Sequence, residues 1–91
     1  MRVGKVIGNI WATRKEESLL GVKLLIIQPI NLVNGTSEKI PFVAADIVGA
    51  GMGETVIVVG GSSARGAAGS KDISVDATVV GIVDGKEIAN V

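Results

Sequence analysis

The sequence predicts an all-β fold in one domain, and three observations carry that reading. No segment of the 91 residues sustains a 3.6-residue apolar period over three turns, so no long amphipathic helix is expected. Apolar, strand-like runs instead alternate with glycine, Asn-Gly and Asp-Gly turn signals. The interior must also be built from Val, Ile, Leu and Ala around 13 glycines, because 47% of residues are hydrophobic yet Trp11 and Phe42 are the only aromatics. Small side chains of that kind suit narrow, tightly curved sheets.

Five strands follow in order. "RVGKVIGNIWAT" predicts the first over Arg2–Thr13, and "VKLLIIQPI" the second over Val22–Ile30. Between the second and third strands, Asn34-Gly35 is read as a type I′ hairpin turn. Asn34-Gly35-Thr36 also has the form of a glycosylation acceptor, but no secretory signal precedes it, so the turn is the better reading. The third strand is Phe42–Asp46 and the fourth Thr55–Gly60. "SSARGAA" then predicts one or two helical turns with Ser62 or Ser63 as N-cap, before a fifth strand over Ala77–Asp84. Asp84-Gly85 is expected to turn the chain toward a short tail. With no repeat and no linker, residues 1–91 form one domain.

The faces of these strands say more than their positions. A small antiparallel barrel normally alternates apolar inward with polar outward. In "VKLLIIQPI", Val22, Leu24 and Ile26 occupy one face while Leu25 and Ile27 occupy the other. "TVIVV" and "ATVVGIV" are apolar on both sides too, and in the first strand Val3, Ile7 and Trp11 oppose Val6, Ile10 and Ala12. One thin barrel cannot cover its own outside, and five short strands give too little material for a two-layer sandwich. The second apolar face is therefore expected to be covered by other copies of the chain.

Composition excludes several functions. Nine Lys+Arg balance nine Asp+Glu, whereas a nucleic-acid binder usually carries a basic stripe, so neither nucleic acid nor an anionic membrane is expected as a partner. Cysteine and histidine are both absent, which removes disulfides, thiol chemistry and the commonest general base and metal ligand. No cofactor, metal or catalytic residue is assigned. No apolar run approaches the roughly 18 residues that cross a bilayer, and a cytosolic protein is expected.

The stretch "VGAGMGETVIVVGGSSARGAAG" looks at first like a phosphate cradle. A dinucleotide-binding turn needs G-x-G-x-x-G opening a helix, but Gly49, Gly51 and Gly53 are spaced G-x-G-x-G and precede a strand. Gly61 and Gly66 have the spacing of a phosphate-binding loop, yet Ala67 and Ala68 replace its lysine and hydroxyl. Architecture remains. Glycines permit positive φ and close backbone approach, so Gly51 and Gly53 are expected to exclude β-branched residues. Glu54 and Arg65 are the charged residues closest to these loops. Each is either solvated or ion-paired within the chain, which contributes little, or one half of a charge pair across a subunit boundary.

Three segments, "GKVIGNIWATRKEESLLGVKLLIIQPI", "VAADIVGAGMGETVIVVGGSSAR" and "VDATVVGIVDG", resemble in order the EutN/CcmL family of bacterial microcompartment vertex proteins. The likeness covers nearly the whole chain. It carries over to Lys23, Leu24 and Leu25, to Gly49, Gly51, Gly53 and Glu54, to Ser62, Ser63 and Arg65, and to Val75 through Asp84. The resemblance implies a five-stranded OB-like barrel, a homopentamer, and a place at the fivefold vertices of a shell otherwise built from hexameric proteins in the bacterial cytoplasm. Ser74 departs from the pattern, standing where the family often has proline. "NLVNGTSEKIPF" is a polar connection expected at the surface, where it would tune contacts to neighbouring shell proteins. Two other functions compete. A nucleic-acid-binding OB domain would need aromatics in a basic groove, and a small enzyme would need Asp46, Glu54 and Asp76 to meet.

Overall fold

The computed structural model describes residues 1–11, 15, 17–69, 74–86 and 88. Its strands are β1 (Arg2–Ile10), β2 (Lys23–Pro29), β3 (Phe42–Asp46), β4 (Thr55–Gly60) and β5 (Ala77–Ile82), with the helix α1 (Gly61–Ala67) between β4 and β5. They close into a barrel in the order β1-β2-β3-β5-β4, which leaves no sheet edge open. All neighbours are antiparallel except β3 and β5, whose parallel seam pairs Ala45 with Thr78 and Asp46 with Val79. No helix among the described residues is long and apolar enough to cross a membrane.

The core is aliphatic, as the composition requires. Val6, Leu25, Ile27, Ala44, Val56, Val58, Ala77 and Val79 point inward, and Phe42 packs at the margin with the Arg2 guanidinium 3.9 Å above its ring centroid. Such a narrow barrel needs room as well as bulk. Gly4 supplies it: a Cβ there would lie 2.3 Å from Ile27 Cγ2 and 2.9 Å from the Gln28 carbonyl oxygen. Register shifts between Val6 and Gly8 on β1, and between Ile57 and Val58 on β4, are the bulges that bend strands to close a small barrel.

The first bulge corrects the expected faces of β1. Gly8 pairs with Ile26 and Ile10 with Leu24, so Ile10 shares the outer face with those residues and not the inner face with Val6. The expected covering of the outside is also partly wrong, because the chain covers some of it alone. Ala45 and Thr78 face outward, yet both are buried, and Thr78 Oγ1 donates to the Ala64 carbonyl of α1 at 2.7 Å. Ser74 supports this outer layer by donating its N–H to Ser18 Oγ at 2.9 Å, a bond no proline makes. Ile7, Val43, Ile47, Val48 and Met52 remain exposed, as does Trp11 at 87%.

Several boundaries differ from expectation. β1 ends at Ile10, and the predicted extension over residues 12–13 lies outside the described residues. β5 ends at Ile82, although Val83 N–H still reaches the Thr55 carbonyl, and residues 83–86 hold no assigned turn. Asn34-Gly35 is not a type I′ turn, which needs positive φ at both residues; only Gly35 has it. Asn31 organises this loop instead. Its Oδ1 accepts the Val33 N–H at 2.9 Å, and its carbonyl accepts the Gly35 N–H at 2.7 Å.

Candidate functional site

The glycine-rich stretch forms two separate structures, one before β4 and one after it. Residues 47–54 are a loop pinned from both sides. Asp46, at the end of β3, has a side chain only 1% exposed, and its two oxygens accept the N–H groups of Val48 at 3.1 Å and Ala50 at 3.0 Å. Lys23, its partner across the β2–β3 pair, lies 3.6 Å from Asp46 Oδ2 and donates to the Ala50 carbonyl at 3.2 Å. Held this way, Ala50 is fully buried and joins the barrel core.

The second half of the loop is a tight turn. Glu54 N–H donates to the Gly51 carbonyl at 3.2 Å, and Gly51 N–H donates back to Glu54 Oε1 at 2.6 Å. Gly53 sits at φ +81°, the left-handed value that a type II turn demands at its third position. The turn is then sewn to β1, since Gly53 N–H reaches the Val6 carbonyl at 2.8 Å and Val6 N–H reaches the Glu54 carbonyl at 3.0 Å. Gly49 has φ +79°, but Gly51 is not in the left-handed region, and a Cβ on it would meet only Glu54 Oε1 at 3.3 Å. The expectation for Gly53 therefore stands on geometry. For Gly51 it does not, because the turn places the strained conformation two residues later.

After β4 the chain enters α1 through a close backbone approach. Gly61 N–H donates to the Asp76 carbonyl at 3.1 Å, and a Cβ on Gly60 would lie 3.3 Å from that oxygen. The helix N-cap is Gly60, with no side-chain hydrogen bond, so neither Ser62 nor Ser63 caps it. The helix begins two or three residues earlier than a Ser62 or Ser63 cap would place it, and both serines lie exposed in its first turn. Arg65 is half-buried on α1, and among the described residues the one ion pair is Lys23 with Asp46.

Thus Gly49, Gly51, Gly53 and Glu54 are brought together, as are Ser62, Ser63 and Arg65, but the two groups stand at opposite ends of β4. Asp46, Glu54 and Asp76 do not form a carboxylate set. Glu54 precedes β4 and Asp76 precedes β5, and these strands are antiparallel, so the two lie at opposite ends of the ladder. No cluster of three metal-ligating side chains occurs among the described residues. Asp46 as a loop anchor was not evident from the sequence, although an Asp shortly before a glycine-rich loop is a candidate Asx-turn residue, and its Oδ1 accepts the Val48 N–H two positions on.

Comparison with known proteins gives consistent matches over the full length. Residues 1–84 match the EutN_CcmL family, described as ethanolamine utilisation protein EutN/carboxysome. The chain is 46% identical over 93 residues to the bacterial microcompartment shell vertex protein GrpN of Rhodospirillum rubrum, covering 99% of this chain and all of that one. It is 42% identical over 90 residues to the carboxysome shell vertex protein CcmL of Synechocystis, covering 99% and 89% respectively. The solved structure of GrpN, a pentameric microcompartment shell protein, superposes with a TM-score of 0.85 at 46% identity, covering 99% of this chain and all of the other.

Proposed function

This chain belongs to the EutN/CcmL family, and from that membership we propose that it is a structural shell protein whose five copies close a ring at the fivefold vertices of a bacterial microcompartment. The observation that carries the reading is the full-length match, in sequence and in fold, to a vertex protein of pentameric structure. All 91 residues serve as one vertex domain in the shell, within the bacterial cytoplasm.

Geometry gives the role its logic. Hexagons tile a plane and cannot alone close a convex shell; closure needs fivefold points, and a heterologous ring of five identical wedges supplies one. Hexameric shell proteins are the neighbours this predicts. The exposed apolar residues on the barrel exterior give the ring surfaces to bury. A structural role, not a catalytic one, also fits the carboxylates. Both oxygens of Asp46 and Oε1 of Glu54 accept backbone N–H groups of their own loop. The zero net charge supports a protein partner over nucleic acid.

Electron microscopy of a strain lacking this chain tests the role. Shells are expected as tubes, open sheets or polyhedra with missing corners, while the released cargo enzymes keep their specific activity. Fully closed shells together with a lost enzymatic step would overturn the proposal.

A further inference from the structure

We propose that Gln28 is a latch: its side-chain amide holds the connection between β2 and β3 in a strained conformation, and residues 31–41 open as a unit when that one side chain lets go. The strain is at Lys39, whose φ of +59° makes it the one non-glycine residue in the left-handed region among the described residues. A Cβ there crowds the backbone, so a lysine stays in that region only where its surroundings hold it.

The holding group is identifiable. Gln28 Nε2 donates to three carbonyl oxygens, those of Pro29 at 3.1 Å, Glu38 at 3.1 Å and Lys39 at 3.2 Å. Three acceptors around one atom admit only the amide nitrogen, whose two hydrogens they share. Two of the three belong to the peptide groups on either side of the Lys39 Cα. Successive carbonyls of an extended chain point to opposite sides, so an extended Lys39 would withdraw one of them from the amide. Latch and strain are therefore one feature: the amide collects both carbonyls only while Lys39 stays left-handed.

The two sides of the latch differ in rigidity. Gln28 stands on β2, in the barrel ladder opposite Lys5 of β1. Residues 32–41 are exposed. Among the described residues, their other hydrogen bonds to the rest of the chain are Glu38 N–H to the Pro29 carbonyl at 2.9 Å, beside the isolated bridge of Ile30 with Ser37, and Lys86 Nζ to the Leu32 carbonyl. The bonds made by Asn31 and Asn34 lie within the loop and travel with it. A segment held by so few contacts opens at far lower cost than the barrel. What the latch governs is the placement of Glu38, Lys39 and Ile40 on the surface, Ile40 being 84% exposed.

Amide hydrogen exchange of the full chain at one fixed concentration tests this, read at the Glu38 amide, with the core amides of β1 and β4 as the check on the fold. Gln28→Glu keeps the shape of the side chain but turns an acceptor oxygen on the three carbonyls. It is expected to speed exchange at Glu38 about tenfold, the loss of one or two hydrogen bonds, with the core amides unchanged. Lys39→Gly removes the strain and keeps the latch, and is expected to slow exchange at Glu38 about fivefold. In the double variant that gain is lost, because without the amide residue 39 no longer occupies the left-handed region. Unchanged exchange at Glu38 in Gln28→Glu, or a glycine that slows exchange equally in both backgrounds, would overturn the latch. Where Gln28→Glu loosens the core amides as well, Lys39→Gly decides alone: slower exchange at Glu38 supports the latch, and unchanged or faster exchange overturns it.

Discussion

Gly4→Ala is expected to destabilise the barrel by about 1–3 kcal/mol, the usual range for forcing a methyl group into a packed core. Gly4 faces inward between Pro29 on β2 and Val56 on β4. The new Cβ would sit 2.3 Å from Ile27 Cγ2 and 2.9 Å from the Gln28 carbonyl oxygen. Ile27 is completely buried and has nowhere to turn, and the second obstacle is backbone. In an Ile27→Ala background, itself less stable by about 2–5 kcal/mol, Gly4→Ala should cost less than it does in the wild type. Gly8→Ala is the control, since its Cβ would crowd only the flexible Cδ1 end of Ile26, at 3.0 Å, with the rest of that side chain at ordinary contact distance, and a small effect is expected. Urea unfolding at one fixed protein concentration measures all four, because assembly contributes to apparent stability. Equal midpoints for Gly4→Ala and the wild type would show that the barrel has more slack than its geometry implies.

Asp46→Ala is expected to cost about 3 kcal/mol, an amount set by charge-assisted hydrogen bonds of about 1.5–3 kcal/mol each. The buried carboxylate accepts two N–H groups. Val48 is exposed and its N–H can turn to water, whereas Ala50 is fully buried and its N–H would be left without an acceptor. The Lys23 contact adds little, because the lysine side chain is half exposed and solvent screens it. Asp46→Asn keeps one acceptor and should fall between alanine and the wild type. Hydrogen exchange gives the more local check: the Ala50 amide should lose protection in the alanine variant before the core amides of β1 and β4 do. Unchanged protection at Ala50 would mean that the loop is held by Lys23 and the β1 contacts alone.

Local chemistry made the strands legible, and long-range contact hid the rest. Phe42–Asp46 and Thr55–Gly60 lie where their apolar runs and flanking turn residues put them. Gly49 and Gly53 take the left-handed φ that glycine at a turn permits. The bulge at Ile7 left no trace, since "VIGNIW" alternates equally well with or without it; the shift is imposed by pairing to β2 and β4 at once. Gly4 is the same kind of case. Nothing in "RVGKV" marks it as indispensable, because the atom that forbids a side chain belongs to Ile27, 23 positions later. The serines of "GSSAR" gave a true helix signal at the wrong residue, because the Asp76 carbonyl fixes the backbone at Gly60 and Gly61 first. At the site, both glycine segments were visible, but their placement at opposite ends of β4 becomes meaningful only once the barrel is closed.

In the function proposed above, this small barrel is a wedge that completes itself only in a ring of five. Native mass spectrometry of the purified full chain addresses it directly. One dominant species is expected at five times the 9.2 kDa of the chain, persisting over a wide range of protein concentration. A dominant monomer at every concentration, with the barrel folded, would contradict it.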